Sequence, residues 1–118
     1  MKVIHTDQAP AAVGPYSQAI EANGVLYCSG QIAINPAEGK IVAKTIEEQA
    51  EQCCRNVEAV LKEAGTDMGH VVKTTCFLAE IADFRAFNEV YARHFISTSM
   101  LGFSAFSCLS TMAIAFGE

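Results

Sequence analysis

Apolar positions recur along this chain in two rhythms. Ile46, Ala50, Cys53, Val57, Leu61 and Ala64 fall three and four residues apart, the spacing of one helical face. Thr45 and Glu48 open that run as a capping box, the threonine hydroxyl serving a backbone amide while the glutamate reaches back. Gly65 supplies its stop. A second stripe, Phe84, Phe87, Tyr91 and Phe95, predicts a helix from about Asp83 to Phe95 with an aromatic side turned to the core and Asn88 at its edge. Between the two helices, Val71 to Leu78 is β-branched and apolar, the pattern of a buried strand.

The first third of the chain moves to a shorter beat. Lys2 to His5 suits an edge strand, and Ala9 to Val13 a loop. Gly14-Pro15 predicts a turn, because proline fixes φ and glycine accepts angles that other residues avoid. Ser17 to Ile20 then runs out, Asn23-Gly24 turns, and Val25 to Gln31 returns. Asn-Gly between apolar runs is the strongest short hairpin signal. Apolar character continues to Ile34, Asn35 to Lys40 is a turn, and Ile41-Val42 a brief return. In the tail, Phe103 to Cys108 and Thr111 to Phe116 are strand-like, with Leu109 and Ser110, neither a favoured turn residue, between them. The alternation predicts an α+β fold, a mixed β-sheet with two helices on one face, in a single domain spanning 1–118.

With 118 residues, 51% of them hydrophobic, the chain has material for one core. Its formal net charge is -5 and no basic cluster appears, which argues against nonspecific nucleic-acid binding. No secretory leader and no membrane span are expected, so the chain is placed in the cytoplasm. The five cysteines, Cys28, Cys53, Cys54, Cys76 and Cys108, show neither C-x-x-C nor zinc spacing and are expected to be reduced, mostly small core residues. No metal site is expected.

Ser29-Gly30-Gln31 ends the returning strand with a hydroxyl, a bare backbone and an amide, a wall suited to a small polar ligand. The motif Gly14-Pro15-Tyr16-Ser17-Gln18-Ala19, then Ser29-Gly30-Gln31-Ile32, then Asn35-Pro36, resembles the Rid family (also called YjgF/YER057c/UK114) of enamine and imine deaminases. The similarity runs on through Gln52 to Val57, Val72 to Leu78 and Phe84 to Tyr91, and covers about Met1 to Phe95 in register. The resemblance implies a chorismate-mutase-like architecture and a homotrimer with ligand clefts between subunits. It implies hydrolysis of 2-imino and 2-enamino acids without metal or organic cofactor. It also implies that Tyr16, Ser29 and Asn88 line the cleft and that the Cys108 backbone helps to position ligand.

The last fifth of the chain departs from this pattern. The family carries Phe/Tyr-Pro-Ala-Arg-Ser-Cys where this chain has Phe103-Ser104-Ala105-Phe106-Ser107-Cys108, so Phe106 stands in place of the arginine that clamps the substrate carboxylate. The final hairpin is shorter than the family's, and Met112 stands where the family has a glutamate that handles the attacking water. Arg55, Arg85 and Arg93 are the arginines present, none at the clamp position. No catalytic residue is therefore assigned, and the substrate-binding set is Tyr16, Ser29, Asn88, Phe106 and Cys108. Three accounts fit the departure: an inactive paralogue, a cleft for a more apolar ligand with Phe106 as a wall, or an altered tail. The functions weighed are a 2-iminobutanoate/2-iminopropanoate deaminase, a small-ligand-binding or regulatory trimer, and an RNA-directed endoribonuclease or translation inhibitor, the last disfavoured by the acidic balance.

Overall fold

The structure is a computed structural model and describes residues 1–95 together with the backbone of strands at 100–105 and 112–117. The strands are β1 (Lys2–Ile4), β2 (Ala19–Ala22), β3 (Val25–Gln31), β4 (Ile34–Asn35), β5 (Lys40–Ile41), β6 (Val71–Leu78), β7 (Met100–Ala105) and β8 (Met112–Gly117). Two α-helices join them, α1 (Ile46–Glu63) and α2 (Phe84–His94), with short 3-10 turns at Met68–His70 and Ile81–Asp83. Six strands form one mixed sheet in the order β1-β2-β3-β8-β6-β7, and β4 with β5 forms a small ribbon. Both helices pack on one face of the large sheet, as the alternation predicted.

Local chemistry explains most boundaries. Asn23 and Gly24 take positive φ values of 53° and 76°, the backbone of a tight primed turn, so β2 and β3 pair as an antiparallel hairpin. The Thr45 hydroxyl accepts from the Glu48 amide at 3.2 Å, and the Glu48 carboxylate reaches back to the amide of Lys44, one residue beyond the reciprocal partner expected. Gly65 (φ 82°) closes α1: its amide donates to the Lys62 carbonyl and that of Thr66 to the Leu61 carbonyl, which satisfies the last turn.

Two register shifts decide which side chains reach the core. Strict alternation cannot bury both Val71 and Thr74, yet both are buried, because β6 carries an extra residue against β8 between Val71 and Lys73. A similar irregularity between Cys28 and Gln31 lets Cys28 pack against the core and buries Gln31 three positions later. The strand at 71–78 is thus buried on one face, with Val72 and Lys73 exposed on the other, rather than throughout as its composition predicted.

The helical face fills the interior. Ala50, Cys53, Val57 and Leu61 are buried as their spacing required, and Cys54, Asn56 and Val60 join them. On α2, Phe87, Tyr91 and the following Phe95 are buried, the last two stacked at 4.2 Å, while Phe84 at the first turn is 39% exposed. Tyr91 and Thr74 share a buried hydrogen bond of 2.7 Å that ties α2 to β6. Asn56 donates to the carbonyls of Ile32 and Ile34, each at 3.0 Å, and accepts from Gln52. His94 pairs with Glu51 across the two helices.

The tail departs from the expected hairpin. β7 lies parallel to β6 and β8 antiparallel to it, on opposite sides, so the two tail strands flank β6 and do not pair with each other. Strands that are not neighbours need no tight turn between them. The strand expected at Phe103 to Cys108 begins earlier, at Met100. Phe106 and Cys108 lie outside the described residues.

Candidate functional site

The N-terminal loop and the irregular end of β3 build a groove around Tyr16. After the bend at Gly14-Pro15, the Tyr16 amide donates back to the Gly14 carbonyl at 2.8 Å, closing a three-residue turn. A methyl group at Gly14 would meet the Tyr16 ring at 3.4 Å, so the ring lies over the glycine. The ring is 50% exposed, and its hydroxyl accepts from the Val13 amide at 3.3 Å. An accepting phenol keeps its own proton for another partner.

Ser29 sits at the irregularity between Cys28 and Gln31. Its amide donates to the Gln18 carbonyl at 3.0 Å and its hydroxyl to the Ser17 carbonyl at 2.6 Å. Both Ser29 donors are thereby used within the protein. Toward a ligand the hydroxyl offers lone pairs, an acceptor for N–H rather than a donor for a carboxylate.

Tyr16 divides two cavities. The larger, about 400 Å³, is lined by Pro15, Tyr16, Ser17, Ala19, Ile20, Tyr27, Cys28 and Ser29. The smaller, about 120 Å³, lies between Tyr16 and the N-terminal loop, with Val13, Gln18, Gly30 and Ile32 among its walls. Burial pushes the Cys28 thiol up to about 12, so at neutral pH it is a protonated wall and not a thiolate nucleophile. Among the described residues no group of three His, Cys, Asp or Glu side chains is placed to hold a metal ion, and no helix is long and apolar enough to cross a membrane.

Of the residues singled out in the sequence, Tyr16 and Ser29 line the same groove. Asn88 is exposed on α2 and lines neither cavity. Sequence patterning missed two residues. Gln18 is 3% exposed and joins Ser29 to the N-terminal loop; its signal is an amide next to the turn, directly before a strand. Tyr27 is 55% exposed on the outer face of the sheet and lines the groove; strand alternation opposite Leu26 and Cys28 holds that signal.

Residues 6–114 match the family described as Endoribonuclease L-PSP, and the chain belongs to it, the Rid family. A Lactococcus lactis protein named as a candidate regulator, AldR, is 54% identical over 95 residues, 80% of this chain and 75% of its own. The human 2-iminobutanoate/2-iminopropanoate deaminase is 46% identical over 96 residues, 81% of this chain and 70% of its own. The crystal structure of Escherichia coli TdcF with bound serine superposes with a TM-score of 0.93 at 28% identity, covering 100% of this chain and 99% of that one.

Proposed function

We propose that this chain hydrolyses reactive 2-imino and 2-enamino acids, such as 2-iminobutyrate and 2-aminoacrylate, to 2-keto acids and ammonia. The observation that carries this reading is the convergence of Tyr16 and Ser29 on one groove in a Rid-family chain. An enamino acid first tautomerises to the imine; water then adds to the imine carbon as one of its protons passes to nitrogen, and the C–N bond of the resulting carbinolamine breaks as the hydroxyl proton passes to the departing ammonia, leaving the carbonyl. The acceptor-only Ser29 hydroxyl suits the imine N–H, and the Tyr16 phenol has a proton to give. This chemistry draws on no metal and no organic cofactor.

The remaining parts of the site come from a second copy of the chain. The outer sheet face carries Val3, Ile20 and Tyr27 in cross-strand register, with Val3 and Tyr27 more than half exposed, a surface suited to burial in a homotrimer. A neighbour's Asn88 would then enter the groove. The chain acts as one domain, in the cytoplasm, on a small carboxylate and not on nucleic acid.

A second reading, a regulatory trimer that binds without turnover, is favoured by Phe106 at the position of the family's clamping arginine and by the name of the Lactococcus relative. Decay of 2-iminobutyrate, generated in situ by a threonine dehydratase, separates the two. The deaminase reading expects faster decay with the native chain. Acceleration by Phe106→Arg alone makes the native protein a binder, and none by either removes the enzyme reading.

A further inference from the structure

Gln18 carries more contacts than a strand-edge residue needs. Its side-chain oxygen accepts from the Thr6 amide at 2.7 Å. Its nitrogen donates to the carbonyls of Thr6 at 3.0 Å and Pro10 at 2.8 Å, with that of Ala9 at 3.4 Å sharing a proton. Its own carbonyl takes the Ser29 amide at 3.0 Å. The Thr6–Pro10 loop is therefore bolted to the strand end that holds Ser29. From that loop the chain runs to Val13, whose amide holds the Tyr16 hydroxyl.

The geometry points to Gln18 as a positioning residue that sets the Tyr16 ring between the two cavities. The inference rests on the groove being the ligand site, and it deepens that reading. An amide is the side chain that suits the place, because Thr6, Ala9 and Pro10 present carbonyls that need donors while the Thr6 N–H needs an acceptor. A carboxylate offers no donor, whereas a protonated carboxyl offers one of each. Gln18→Glu is thus a switch: neutral it restores part of the bolt, and ionised it faces carbonyl oxygens in a buried place, which raises its pKa.

Fluorine NMR of the chain labelled with 3-fluorotyrosine reads the consequence, because Tyr16, Tyr27 and Tyr91 are its three tyrosines. Tyr16→Phe assigns the Tyr16 signal. From about pH 5 to about pH 8, the Tyr16 signal of Gln18→Glu should leave its native position as the carboxyl ionises, with Tyr27 and Tyr91 unmoved. Over the same range L-serine should bind roughly tenfold more weakly, with no such trend in the parent chain. A Tyr16 signal that stays native in ionised Gln18→Glu overturns the inference. If ionisation unfolds the variant and all three signals move together, uncharged Gln18→Met decides the matter: displacement of Tyr16 alone supports the role, and a native Tyr16 signal refutes it. Failure of L-serine to bind the parent chain counts against the ligand reading of the groove, while the Tyr16 signal still decides the role of Gln18.

Discussion

The helical layer and the Tyr16 groove meet at β3 but are held in different ways. The layer is a sheet of apolar contacts with a few polar pairs among them, the buried Asn56 with the partly buried Gln52 and the buried Thr74 with Tyr91. The groove is held by side chains that grip backbone, Gln18 on the N-terminal loop and Ser29 on Ser17. Burial stabilises the first by roughly 25 cal/mol for each Å² of apolar surface removed from water. The second leaves much of its apolar lining, Tyr16 and Tyr27 among it, exposed, and its shape depends on hydrogen-bond geometry more than on burial. Changes to the layer should therefore move stability and leave Tyr16 in place, and changes to the groove the reverse.

The largest expected effect is alkaline. Burial pushes the Cys28 and Cys76 thiols from 9.0 and the Tyr91 phenol from 10.0 up to about 12, and moves Cys54 upward as well. Each group is protonated in both states below its unfolded value, so its contribution is fully present there. Above about pH 9 the unfolded chain releases thiol protons that the folded chain keeps, so stability falls with rising pH until about pH 12. Urea midpoints measured from pH 7 to pH 11 should be flat at first and decline beyond about pH 9. A flat profile throughout would mean that these groups are not buried as described.

Next in size is Asn56→Leu. The side chain is fully buried, and its loss strands the carbonyls of Ile32 and Ile34 and the amide of Gln52. The cost is about 2–4 kcal/mol in urea unfolding, the penalty for buried polar groups left unpaired. Ile32 and Ile34 also wall the smaller cavity, which makes this variant a severe test of the contrast between layer and groove. The hold on Tyr16 runs through Val13 and Gln18, so its fluorine signal should stay in place well below the transition. Movement of that signal would mean that the two regions are coupled through β4.

How much of this is legible in the sequence follows the same division. Helical spacing exposes the core of α1, and Asn23-Gly24 defines the hairpin, because these signals are local. The burial of Gln31 and of Val71 together with Thr74 is not legible, since it depends on register against β8, a strand far along the chain from both. The tail reads as a hairpin and is not one for a related reason: two adjacent strand-like segments do not disclose that a third strand lies between them. Tyr16 and Ser29 are found by resemblance, and the groove they share follows from the turn at Gly14-Pro15 and the irregularity at Ser29-Gly30. Gln18 escapes because its place beside the turn, directly before a strand, does not disclose that its amide bonds to a loop eight to twelve residues back and not to solvent.

The smallest effect on stability, and the sharpest on the groove, is expected of Tyr16→Phe. The hydroxyl makes one exposed hydrogen bond of 3.3 Å, so its removal should cost about 0.5 kcal/mol or less. The ring loses its hold on the Val13 amide and keeps its contact with Gly14. What disappears is the one proton that the Tyr16 side chain can offer a ligand. If the phenol acts on the substrate, 2-iminobutyrate turnover or L-serine affinity should fall roughly tenfold at unchanged urea midpoint, the size of a lost directional hydrogen bond. An unchanged affinity would reduce Tyr16 to an apolar wall and remove the phenol from the proposed chemistry.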